Sequence, residues 1–281
     1  MTATTSQITT LAPAEVELGV SNLPRSLTFY RKVLGLTLRS QTEKSAELGT
    51  PQRALIVLHA LEQPQPPRRS TGLFHLALLL PTRADLGRFI EHLAALGVRL
   101  GASDHVVSEA VYLNDPDGHG IEVYRDRPRS EWTWIGGEIE MNTLPLDIEA
   151  VVQSASGTKW TGIPADTVMG HIHLKVSDLQ TATDFYRSLG FDLMFSGYPG
   201  ASFLSVGGYH HHLGLNVWQS QGAPAPAENT PALRLAHFSL GANDLAALKR
   251  RLNEVGQVAD EGADFLAMTD PAGNHLRFSV R

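Results

Sequence analysis

VELGVSNLPRSLTFYRKVLGL, residues 16–36, returns as IHLKVSDLQTATDFYRSLGF at 172–191, with Phe29-Tyr30-Arg31 answered by Phe185-Tyr186-Arg187. A second echo follows each copy at its far end, where NDPDGHGIEVY (114–124) is matched by TDPAGNHLRFS (269–279). Two echoes in the same order make the chain two copies of one plan, and a repeat of that size dictates the fold before any single residue does. Each copy divides again into a period-2 strand, an amphipathic helix and further strands separated by turn signals.

The first quarter has a strand at 15–20 and a helix over 24–34, entered through Asn22-Leu23-Pro24-Arg25. LFHLALLLP (73–81) opens the second, followed by a helix over 82–96 and strands around 110–113 and 120–124, the last two joined by Asp115-Pro116-Asp117-Gly118. In the third, HIHLKVS is followed by a helix at 179–188 and strands at 201–206 and 210–218. The fourth has LRLAHFSLG, a helix over 243–255 and closing strands at 264–268 and 275–280. The pattern predicts an α+β fold of four βαβββ modules, divided as a polar tail (1–12), a first half (13–125), a connector (126–167) and a second half (168–281). The Pro-rich stretches at 62–72 and 221–231 read as linkers between modules.

Composition narrows the chemistry. The 281 residues are 42% hydrophobic with a net charge of −6, and the basic residues form no stripe, which argues against nucleic acid or an anionic membrane as the main partner. There is no cysteine, so disulfides, zinc–thiolate sites and thiol nucleophiles are excluded, and any metal must be held by His, Asp or Glu. The first residues lack a basic start and an apolar core, and no apolar run reaches the roughly 18 residues of a membrane span, so a cytoplasmic protein is expected. Self-association is left open.

The V-S-[DN]-L…F-Y-R…L-G-[LF] opening and the D-P-x-G turn before a module's last strand resemble the vicinal oxygen chelate superfamily, which includes glyoxalase I, fosfomycin and bleomycin resistance proteins and extradiol dioxygenases. Four modules in one chain look most like an extradiol catechol 2,3-dioxygenase. The resemblance implies modules paired into two eight-stranded cups. It also implies a divalent metal, Fe(II) first and Mn(II) next, held by a His from the first strand of one module and a His and a Glu from the first and last strands of its partner. The expected partners are a small catechol-like substrate and dioxygen.

The first-strand positions hold Glu15, His75, His171 and His237, and the last-strand positions hold Glu122 and Arg277. Pairing modules in chain order completes no triad. Pairing the inner modules collects His75, Glu122 and His171 as metal ligands and leaves Glu15, His237 and Arg277 to the outer cup, with a Glu15–Arg277 ion pair expected there. Alternation agrees: Ile172, Leu174 and Val176 form one face of their strand, so His171, His173 and Lys175 turn into the cup, as Glu122 does between Ile121 and Val123.

The run YHHH (209–212) brings three of the chain's twelve histidines together. By the same parity His210 and His212 share one face and His211 the other. The resemblance implies a His-His pair on this strand, one member acting in acid–base steps on the bound catechol; His212 is assigned that role, with His211 as the alternative should the register differ by one. Tyr112, ten residues before Glu122, corresponds to a tyrosine that hydrogen-bonds the substrate, and His105 to a supporting histidine. His173 is expected to orient a ligand or substrate. His59, His92 and His119 read as solvated, the two Asp-Pro turns as register-setting type I turns, and the Phe-Tyr-Arg faces as packing. A glyoxalase-type isomerase or lyase and a non-enzymatic small-molecule binder of the same fold are the competing readings.

Overall fold

The computed structural model describes residues 8–254, 256 and 259–280. Four βαβββ modules follow one another. The first comprises β1 (Ala12–Val20), α1 (Leu23–Lys32), β2 (Thr37–Gln41), β3 (Ser45–Gly49) and β4 (Ala54–Ala60). The second comprises β5 (Gly72–Leu79), α2 (Arg83–Ala95), β6 (Gly101–Asp104), β7 (Ser108–Asn114) and β8 (Gly120–Asp126). The connector carries a short hairpin, β9 (Trp134–Ile135) and β10 (Glu138–Ile139), and a helix, α3 (Ile148–Gln153). The third module runs β11 (Val168–Lys175), α4 (Leu179–Ser188), β12 (Asp192–Phe195), β13 (Ala201–Ser205) and β14 (Leu213–Asn216). The fourth runs β15 (Ala232–Leu240), α5 (Ala242–Glu254), β16 (Asp260–Glu261), β17 (Phe265–Thr269) and β18 (His275–Val280).

Helix starts follow their caps. The side chains of Asn22, Thr82 and Asp178 accept from the backbone N–H three residues on, satisfying donors that the first helical turn cannot. The apolar alternation of the first strands is satisfied on one side by these helices. Val16, Leu18, Leu76, Leu78, Ile172, Leu174, Ala236 and Phe238 are all sealed from solvent in one core that runs through both sheets.

Two eight-stranded sheets result, ordered β12-β13-β14-β11-β5-β8-β7-β6 and β16-β17-β18-β15-β1-β4-β3-β2. The second module therefore pairs with the third through antiparallel β5 and β11, and the first with the fourth through β1 and β15. The modules pair inner with inner and outer with outer. No described helix is long and apolar enough to cross a membrane.

Three local expectations are corrected. The segment read as a polar tail is docked from Ile8 onward: Ile8 and Leu11 are buried, and Asp244 accepts from the backbone N–H of Thr9 and Thr10. Residues 1–7, and the predicted helix end at Val255, lie outside the described residues. The strand expected over 210–218 is regular only at Leu213–Asn216, because the three histidines form an irregular lead-in. His119 is buried rather than solvated, its Nδ1 lying 2.9 Å from Asp115 Oδ2.

Candidate metal centre and its cavity

β5, β8 and β11 lie side by side at the middle of the inner cup, and their inward side chains converge. His75 Nε2 and His171 Nε2 each lie 3.1 Å from Glu122 Oε2, and 3.3 Å from one another. All three residues are buried. Donors bonded to one ion at about 2.0–2.2 Å stand about 3.0–3.4 Å apart when the angles between them fall between square and tetrahedral. The observed separations fit, and two imidazoles with one carboxylate suit a divalent metal. Among the described residues this is the one such group of three.

Two bulges in the β5–β11 ladder set this convergence. His173 faces His75 and Leu174 faces Leu73, which leaves Phe74 as an extra residue, so Phe74 and His75 both turn into the cup. On β11 the extra residue is Gly170, between the pairs Met169–Leu78 and His171–Ala77. A Cβ at Gly170 would run into the Tyr124 hydroxyl, so glycine there lets Tyr124 slide beneath His171, ring centroids 4.9 Å apart. Gly214 plays the matching part for His173, whose Cγ would lie 2.7 Å from an added Cβ.

Above the three donors is a cavity of about 300 Å³ lined by aromatic rings, among them Phe74, Tyr112, Tyr198, Phe203 and Trp218. The connector supplies part of the wall through Met141 and Thr143. Glu122 is the cavity's single carboxylate among the described residues.

Electrostatics follow from dryness. Burial pushes His171 down to about 4, against the pull of Glu122, and the same cause, reinforced by neighbouring imidazoles, holds His173 and His211 well below 6.5. Burial works to raise Glu122, but the hydrogen bonds and charge of His171 and His75 keep it well below the ordinary carboxylate range. Tyr112 is pushed well above 10 by burial and then by the Glu122 charge.

Of the other residues singled out from sequence, Tyr112, His105 and His173 line the cavity. Tyr112 sits across from Glu122 in the β7–β8 ladder and lines the cavity. His105 Nδ1 donates to the Asn142 carbonyl at 2.9 Å, and its Nε2 lies 2.6 Å from the Tyr112 hydroxyl. His173 packs edge-on against His75 at 4.8 Å and lies 3.0 Å from Asn216 Nδ2. In the histidine run the inward ring is His211 rather than His212. His212 is half-buried, its Nδ1 2.9 Å from Ser205 Oγ and 3.3 Å from the Val206 N–H, with its ring stacked on Tyr209, and it does not line the cavity. His211 does, 4.1 Å from His171 and 5.0 Å from Phe203 between ring centroids. Parity failed here because the backbone at 210–212 is not extended.

Among the described residues the outer cup has no comparable group. Glu15 Oε1 meets His237 Nδ1 at 3.4 Å, while Arg277 lies over the Phe265 ring at 4.3 Å, so the expected Glu15–Arg277 pair is not made.

Comparison with known proteins follows the same lines. A catechol-2,3-dioxygenase of Bacillus subtilis (strain 168) is 40% identical over 275 residues, 94% of this chain and 95% of that one. A solved structure from Bacillus subtilis subsp. subtilis str. 168, named as a dioxygenase, superposes with a TM-score of 0.69 at 12% identity, covering 97% of this chain and 86% of the other. Glyoxalase I from Zea mays superposes at 0.57 with 16% identity, covering 96% and 92%. The Glyoxalase/Bleomycin resistance protein/Dioxygenase superfamily matches residues 12–123 and 168–278, which together take in all four modules, and the chain belongs to that superfamily.

Proposed function

We propose that the chain is a metal-dependent extradiol dioxygenase that opens a catechol-like ring beside its two hydroxyls. The observation that carries this is the pooling of His75, Glu122 and His171 beneath an aromatic cavity, in a chain so similar to a catechol-2,3-dioxygenase. These three residues would hold the metal, with Fe(II) the first choice and Mn(II) the second. A redox-active divalent ion there supplies the means for electrons to pass from the ring to dioxygen.

The chain's own residues do the rest. The cavity is at the small end of the range for ligand sites, which suits a single ring, and its rings exclude water and hold the substrate plane. His211, neutral because it is buried, accepts a catechol proton and returns it as the ring opens. Tyr112 and His105, 2.6 Å apart, border the same cavity and offer polar contacts to the substrate. A glyoxalase-type reaction wants a second carboxylate base near the metal, and Glu122 has no such companion among the described cavity residues.

The test is oxygen uptake with catechol by iron-reconstituted protein, with the yellow ring-opened product followed in parallel and metal content measured on the same sample. Stoichiometric uptake that a chelator abolishes is expected. Less than about 0.1 metal per chain after reconstitution, or ligand binding indifferent to chelator, would leave a non-enzymatic binder as the better description.

A further inference from the structure

Behind His211 stands a chain of buried polar groups. His210 has no exposed surface; its Nδ1 lies 2.7 Å from His211 Nδ1 and its Nε2 lies 2.9 Å from Asp126 Oδ1. The Tyr209 hydroxyl donates to the same Asp126 oxygen at 3.2 Å, and the Tyr124 hydroxyl meets that of Tyr209 at 2.8 Å. Asp126 belongs to the strand that delivers Glu122, and Glu122, Tyr124 and Asp126 alternate along its cup face. Trp132 and Tyr209 pack against the His210 ring at 5.3 and 4.0 Å between centroids.

Donor counting gives this chain a direction. A carboxylate only accepts, so His210 Nε2 carries a proton. The Nδ1–Nδ1 contact holds a single proton, and with one proton on the His210 ring, already placed on Nε2, His210 Nδ1 accepts from His211 Nδ1–H. A neutral His211 has then placed its proton on Nδ1, and Nε2, on the far side of the ring, is left with a lone pair. His211 lines the cavity while His210 and Asp126 do not.

We propose that Asp126 and His210 are positioning residues that hold His211 as its Nδ1–H tautomer, so that it meets the substrate with a proton-accepting Nε2. The proposal rests on the ring-cleavage reading only for its consequence in turnover; the tautomer itself rests on the hydrogen bonds of a singly protonated His210. The arrangement also accounts for the consecutive histidines. His211 must leave strand geometry to face the cavity, and His210 then anchors it from behind.

The experiment is two-bond 1H–15N spectroscopy of histidine-labelled protein loaded with Zn(II) as a diamagnetic probe, the His211 signals being identified by their loss in His211→Gln. In the parent, His211 should show a protonated Nδ1 and a bare Nε2. Asp126→Asn keeps a carbonyl oxygen for His210 and should keep that pattern. Asp126→Leu removes the acceptor and should give mixed tautomers. With iron-loaded protein, kcat on catechol should fall about tenfold or more in Asp126→Leu with KM within about threefold, and should recover in Asp126→Asn. A protonated Nε2 on His211 in the parent, or an unchanged His211 pattern with full kcat in Asp126→Leu, overturns the proposal. If the parent shows the Nδ1–H tautomer yet cleaves no catechol, the ring-cleavage reading fails and the positioning role stands.

Discussion

The Tyr186 hydroxyl donates to Oδ2 of Asp270 at 2.9 Å, fastening α4 of the third module to the turn before the last strand of the fourth. Tyr30 does the same to Asp115 Oδ2 at 3.0 Å, between the first module and the second. All four residues are buried, and each pair joins one cup to the other. The tyrosine of Phe-Tyr-Arg and the aspartate of Asp-Pro-x-Gly, read from sequence as packing and turn chemistry, are thus the two ends of one bond. Each aspartate also accepts from backbone N–H groups of its own turn.

Tyr186→Phe leaves the ring in place and removes only the donor, so stability should fall by about 1 kcal/mol with catechol turnover unchanged. Urea unfolding read by tryptophan fluorescence checks this. A midpoint equal to the parent's would mean that the bond is not a fastening.

His171→Ala and Glu122→Gln each remove one of three convergent donors. Both should reduce iron retained after desalting to background and abolish oxygen uptake, while circular dichroism stays that of the parent. Iron content equal to the parent's in His171→Ala would rule out His171 as a ligand.

Gly170→Ala tests the bulge. The added methyl collides with Tyr124, and overpacking of this kind costs about 1–3 kcal/mol. Because His171 is the next residue, metal affinity should weaken along with stability, measured by competition with a coloured chelator.

Acid should weaken the metal-free protein earlier than its carboxylates require. In the unfolded chain His171, His173 and His211 take up protons near pH 6.5, whereas in the folded chain His171 waits until about 4 and the other two also stay neutral well below 6.5. Between those limits the unfolded state binds more protons, so stability falls as pH falls, by up to about 1.4 kcal/mol per pH unit for each group. The urea midpoint should decline steadily from pH 6.5 toward 4.5. A flat profile over that range would contradict the burial of neutral imidazoles.

The repeat, the module count and the inner pairing were legible because they rest on spaced motifs and on which residue types occupy equivalent strand positions. His75, Glu122 and His171 could be named for that reason. Phe74 could not, since a bulge breaks alternation and strict parity sends Phe74 to the opposite face from His75. The same limit applies to the histidine run: His212 keeps the ladder position opposite Leu204 and Ile172, but the turn at Gly207 and Gly208 bends 209–211 and brings His211 inward. The anchoring role of Asp126 had a faint signal, the alternation of Glu122, Tyr124 and Asp126 on one strand. Its partners became visible only when the histidine run was folded against it.

The pairing of modules also sets an order of assembly. Every strand of the inner cup comes from one unbroken stretch, β5 to β14, so that His75 meets His171 across 96 residues. The outer cup must bring the chain's two ends together, with Thr10 reaching Asp244 across 234. Loop closure alone separates these by only about 1 kcal/mol. During synthesis from the N-terminus the difference is larger in kind, because the inner cup has all of its strands once Asn216 is made, while β1 still waits for β15. The first module is therefore an unpaired half until the fourth arrives, and its exposed β1 edge is the stretch most in need of protection on the way to the native state.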